Sequence, residues 1–75
     1  MENATIILKN DEIHQKVEVM ELLANLDLEY NVAKELINNI EKDGESIILY
    51  CNYSDIIFKY KKYLDDGGFD YLILI

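Results

Sequence analysis

Ser54-Asp-Ile-Ile-Phe-Lys-Tyr-Lys-Lys-Tyr-Leu-Asp-Asp-Gly-Gly-Phe-Asp-Tyr-Leu-Ile-Leu-Ile75 is the stretch that decides the fold. It reads as an amphipathic helix, a glycine stop and a strand. Ser54 is placed to accept a hydrogen bond from the free N–H groups of the first turn, and Asp55 sits where the helix dipole favours an anion. Gly67 and Gly68 are expected to take the left-handed conformation that closes a helix. A strand as apolar as Phe69–Ile75 cannot be left in water. The upstream residues must therefore supply the sheet and helices that cover it.

They are patterned to do so. Ala4–Lys9 is a short strand, and Asn10-Asp11-Glu12 is a turn signal that also offers a cap to the next helix. From about Ile13 to Asn25 the helical period predicts Ile13, Val17, Met20 and Ala24 on the buried face, with His14, Glu18, Glu21 and Asn25 opposite. A second helix, roughly Leu28 to Glu41, starts at an Asp27 cap and buries Val32, Ala33, Leu36, Ile37 and Ile40. Ser46–Cys51 is the second strand. In the closing helix Ile56, Ile57, Tyr60, Tyr63 and Leu64 form the apolar stripe. The order is β-α-α-β-α-β. One helix between the second and third strands suits a right-handed crossover joining parallel strands, with the first strand central and antiparallel to both. The expected fold is α+β, a three-stranded sheet with three helices on one face, in one domain over residues 1–75.

Composition narrows the function. Seventy-five residues allow one thin core that buries roughly 60% of the unfolded surface. No apolar run approaches the ~20 residues of a membrane span, and Met1-Glu-Asn-Ala is not a basic signal start, so a soluble, cytoplasmic chain is expected. Fifteen carboxylates face seven lysines, with no arginine. Such a surface disfavours nucleic acid and anionic membranes and attracts basic partners. Cys51 stands alone and reads as small hydrophobic filler.

The strands break the alternation expected of a sheet with one wet face. Ile6-Ile7-Leu8, Ile47-Ile48-Leu49 and Leu72-Ile73-Leu74-Ile75 are apolar on both faces. Either a partner or a second copy covers the outer face, or the small sheet curls enough to shelter it.

No nucleophile elbow, phosphate loop, paired-cysteine site or triad is present, so neither an enzyme nor a cofactor site is expected. His14 reads as a solvated histidine paired with Glu18 at i+4. Lys59-Tyr-Lys-Lys-Tyr63 mixes cations with aromatics, but the tyrosines fall on the apolar stripe and the lysines become a solvated rim. Phe58 points away from that stripe among charges, either as an anchor for a protein partner or as an isolated surface hydrophobe. Asn10, Asp11 and Glu12 form either a plain turn and cap or an acceptor cluster suited to an ammonium group.

The run Ile6-Ile-Leu-Lys-Asn10-Asp11-Glu12, continuing through Val19-Met-Glu-Leu-Leu23 and Ala33-Lys-Glu-Leu-Ile-Asn-Asn-Ile-Glu-Lys-Asp-Gly-Glu-Ser-Ile-Ile48, resembles the ClpS family of adaptors to the Clp protease. The helix–Gly-Gly–strand at the other end is similar to the C-terminal domain of the bacterial ribosomal stalk protein, which has the same fold. The ClpS resemblance implies that Asn10 and Asp11 bind the free α-amine of an N-terminal degron. It places Glu41 where the family has a third, histidine ligand, and Lys59 on the surface that docks the protease. Where the family has Thr and a pocket-gating Met, this chain has His14 and Lys16.

Two functional expectations follow. The first is a non-enzymatic adaptor or modulator of a Clp-type unfoldase, with Asn10, Asp11 and Glu41 at the amine and Phe58 and Lys59 at the docking surface. The second is an acidic, phage-type inhibitor that mimics nucleic acid against a nuclease or nucleic-acid-binding protein. A homodimer through the open sheet face is a third possibility.

Overall fold

The computed structural model describes residues 2–75. Its elements are β1 (Ala4–Lys9), α1 (Lys16–Asn25), α2 (Tyr30–Asp43), β2 (Glu45–Cys51), α3 (Ser54–Asp66) and β3 (Tyr71–Leu74). The sheet order is β2-β1-β3, with β1 antiparallel to both neighbours. β2 and β3 are thus parallel to each other and joined through α3. The α+β class, the element order and the central first strand are those the sequence predicts.

Period-two alternation fixes which side of β1 is inside. Ala4, Ile6 and Leu8 are buried, while Thr5, Ile7 and Lys9 are half-buried on the other face. Burying each large aliphatic side chain contributes about 1.5–3 kcal/mol. β2 carries a bulge: Ile6 faces Leu49 but Ile7 faces Ile47, leaving Ile48 as the extra residue. Ile48 is buried and joins Ile6, Leu8, Leu22, Leu23, Ile37 and Leu64 in the core, under a single layer of helices.

Several local expectations are corrected. α1 begins at Lys16, not Ile13, and Ile13 and Val17 are exposed. Its inward stripe is Val19, Leu22, Leu23 and Leu26, spaced i, i+3, i+4, i+7. The helical phase starts late because residues 10–15 are held in a turn of their own. Asp27 does not open α2; it stands at φ 64° just past the end of α1, and its N–H bonds the Ala24 carbonyl at 3.0 Å. α2 follows two residues later than predicted, with Ala33, Ile37 and Ile40 buried, Leu36 half-buried and Val32 exposed. Gly44, at φ 84°, ends it with an N–H to the Ile40 carbonyl.

In α3 the N-cap is Tyr53, so Ser54 is already helical and no side chain caps that end. Tyr60 and Leu64 are buried, whereas Ile56 and Tyr63 lie at the edge of the stripe and are partly exposed. Gly68 takes the left-handed turn at φ 68°, and Gly67 does not, with φ −87°. What Gly67 provides is space, because a Cβ there would stand 2.4 Å from the Phe69 ring. Among the described residues no helix is long and apolar enough to cross a membrane.

The corrected α1 stripe has a direct check in urea unfolding followed by circular dichroism. Leu23→Ala and Leu64→Ala should each cost about 2–5 kcal/mol. Ile13→Ser and Val17→Ser should change stability by less than about 0.5 kcal/mol. The opposite ranking would return Ile13 and Val17 to the core.

Candidate functional site

The turn between β1 and α1 is built by its own side chains. Asn10 N–H bonds the Gly44 carbonyl at 2.9 Å, and Asn10 Oδ1 accepts from Glu12 N–H at 3.2 Å. Asp11 Oδ1 accepts from the N–H groups of Ile13 and His14, both at 3.0 Å. Its second oxygen, Oδ2, meets His14 Nδ1 at 2.5 Å. The other ring nitrogen, Nε2, reaches the Gly67 carbonyl at 2.7 Å. The imidazole lies on the Phe69 ring, with centroids 3.9 Å apart and planes 17° from parallel.

His14 is therefore not the solvated partner of Glu18. It precedes α1, and the Asp11 and His14 side chains are each only 12% exposed. Glu18 instead closes the start of α1, accepting from Gln15 N–H at 2.9 Å. Both His14 nitrogens face oxygen acceptors, an arrangement that only the doubly protonated ring satisfies. The Asp11 carboxylate raises the His14 pKa, partial burial opposes it, and the Gly67 carbonyl adds to the rise. For Asp11, burial acts to raise its pKa, but the His14 backbone N–H and ring, with the Ile13 N–H, outweigh it and hold the carboxyl below its usual value.

Beside this turn lies a cleft of about 230 Å³ lined by Asn10, His14, Lys16, Val19, Ile37, Ile40 and Glu41. Ile37 and Ile40 form an apolar floor, and Asn10 and Glu41 come to its walls from the turn and from α2. Lys16 Nζ sits 3.3 Å from Glu41 Oε1 in an exposed pair. Asp11 is adjacent, but its oxygens are engaged by His14 and the turn's own backbone.

Phe58 and Lys59 stand on the outer side of α3, in a shallow groove with Lys62, Tyr63 and Asp66. Phe58 is 69% exposed. Lys59 Nζ pairs with Asp27 Oδ2 at 2.7 Å and ties α3 to the α1–α2 connection. A further groove of about 340 Å³ between α1 and α3 is rimmed by the carboxylates Glu18, Glu21 and Asp66, with Leu22 and Phe69 beneath. Sequence reasoning passed over this groove, because it forms only when α3 is laid beside α1.

Cys51 is half-buried and unpaired. Among the described residues no group of three or more His, Cys, Asp or Glu side chains is placed to hold a metal ion. No protein-family model and no curated protein matches this chain.

The histidine bridge carries a pH signature. A raised His14 pKa contributes stability that is fully present below the unfolded value of 6.5 and lost as pH rises through the higher folded value. Thermal melts of the natural chain and His14→Gln, from about pH 5.5 to about pH 9, should show the largest gap at the acid end and a shrinking gap above it. A gap that stays flat across this range would mean that folding leaves the His14 pKa unshifted, and one that widens with rising pH would mean that the ring is neutral when folded.

Proposed function

We propose that this chain is a non-enzymatic protein–protein interaction domain, a small adaptor or modulator of a Clp-type protease that receives a free N-terminal amine in the cleft between Asn10 and Glu41. The observation that carries the reading is the convergence of the Asn10 amide and the Glu41 carboxylate on one apolar-floored cleft. An incoming α-ammonium would replace the Lys16 ammonium on Glu41 and donate to Asn10 Oδ1, while its first side chain rests on Ile37 and Ile40. Charge-assisted bonds of this kind contribute about 1.5–3 kcal/mol.

Asp11 takes a different part from the one the resemblance implies. With its oxygens bonded to His14 and to the Ile13 and His14 N–H groups, it acts as a positioning residue that holds the turn carrying Asn10. Phe58, exposed on α3, is the docking anchor for the unfoldase in this reading. Lys59 contributes through its pair with Asp27.

Fluorescence anisotropy with labelled peptides tests the amine. Peptides with free N-termini should bind at least ~10-fold tighter than their acetylated forms. Glu41→Gln should remove most of that difference, and Lys16→Met should enlarge it. Equal binding of free and acetylated peptides overturns the amine-binding role.

A second reading, an acidic inhibitor that competes with nucleic acid, is supported by the three carboxylates along the α1–α3 groove, whose lining holds no lysine and His14 as its one basic side chain. It expects binding to a basic nuclease or nucleic-acid-binding protein that weakens steeply with salt and is displaced by DNA. Binding indifferent to DNA would remove it.

A further inference from the structure

The sheet face turned away from the helices can be read row by row from the strand register. One row is Ile47–Ile7–Leu72, and the next is Tyr50–Thr5–Leu74. Ile47 is 56%, Tyr50 66%, Leu72 42% and Leu74 48% exposed, so two adjacent rows of a three-stranded sheet present apolar side chains to solvent. The row beyond them holds Glu45 and Lys9, with Asp70 just before the start of β3. At the opposite end Asn3 donates to the Tyr50 hydroxyl at 3.0 Å.

We propose that a second copy of this chain covers this face, forming a two-fold dimer in which the two sheets pack face to face. The symmetry axis runs across the strands, between the two apolar rows. Such an axis lays Leu72 on Leu74 of the second copy, Ile47 on its Tyr50 and Ile7 on its Thr5. Each apolar row therefore meets the other, and the face is its own complement. The same operation brings the Glu45–Lys9 row of one copy over Asn3 and the Tyr50 hydroxyl of the other, where polar partners await it.

Charge selects this face for self-association. Two chains that each carry a net charge of −8 repel when their helical layers approach. Across the sheet face the side chains of the strands contribute one cation and one anion, Lys9 and Glu45, which cancel and leave Asp70, beside them, as the one excess charge of that row. The crosswise axis also sends the two charged rows to opposite ends of the dimer, about 20 Å apart and beyond the screening length of physiological salt. The footprint, about 14 by 20 Å, is smaller than the ~800 Å² per partner of a tight complex. The dimer is accordingly a reversible one. Its face lies opposite the helical layer that holds Asn10 and Glu41, so its test is independent of the amine-binding proposal.

Sedimentation velocity on the full chain from about 5 μM to about 500 μM should show the mass rising from 8.8 kDa toward twice that value. Amide resonances that shift on dilution should be those of Ile47, Tyr50, Leu72 and Leu74 and their strand neighbours. Leu74→Glu, which brings a carboxylate into each apolar contact, should raise the dissociation constant at least ~10-fold while leaving the circular dichroism unchanged. A natural chain that stays monomeric at the highest concentration overturns the second copy as occupant and assigns the face to an unlike protein. Dimerisation that shifts the α3 groove or α1 instead, or that Leu74→Glu leaves untouched, overturns the proposed face. If the variant unfolds, the dilution shifts of the natural chain decide alone.

Discussion

The fold depends on β1 being hydrogen-bonded along both edges at once. A six-residue strand between two antiparallel neighbours holds residues 45–51 on one edge and 71–74 on the other, although two turns and α3 separate them in the chain. That pairing aims Ile6 and Leu8 into the helical layer, where Leu23 and Leu64 close over them. The helices form one covering layer, and the apolar rows on the second face of the sheet lie on the surface.

A second constraint ties the two turns that flank the sheet. The His14 ring bridges the Asp11 carboxylate and the Gly67 carbonyl while lying flat on Phe69. The connection entering α1 is thereby fastened to the connection leaving α3. Gly67 serves this contact twice, since its carbonyl accepts from the imidazole and its missing side chain leaves room for the Phe69 ring. The bridge uses Asp11 from inside the molecule, which leaves Glu41 as the carboxylate available at the neighbouring cleft. It also accounts for the late start of α1, because residues 10–15 satisfy one another and the helix can begin only beyond them.

The legible and illegible parts of the sequence divide by distance along the chain. Ala4–Lys9 matches its predicted bounds, and β2 differs by one residue, because short β-branched and aliphatic runs between turn signals are local features. The central position of β1 was legible through the crossover rule applied to the single helix between β2 and β3. The Ile48 bulge was not, since Ile47-Ile48-Leu49 reads as a smooth run whichever residue is extra. In α1 two apolar periodicities compete, Ile13/Val17 and Val19/Leu22/Leu23/Leu26, and only the turn ahead of the helix chooses between them. The Asp11–His14 spacing was a local sign of that turn. The bond from His14 to Gly67 spans fifty-three positions and had no local sign. The convergence of Asn10 and Glu41 was visible only through the family resemblance, and the Lys16–Glu41 pair not at all.

Charge and topology together give this small domain two unlike sides. Nearly all of its excess carboxylates ride on the helices and their connections, while the three strands contribute side chains of little net charge. This charge favours cations on the helical layer, and the two proposed ligands, an ammonium at Glu41 and a basic protein along Glu18, Glu21 and Asp66, both fall there. The sheet adds two adjacent rows of exposed apolar side chains with little net charge beside them. Because the layers are back to back and share the buried residues Ile6 and Leu8, a ligand on one side and a partner on the other can be held at once without competing for surface. In the proposed reading a chain of seventy-five residues gains from this arrangement, since each of its two layers is left free to recognise something different.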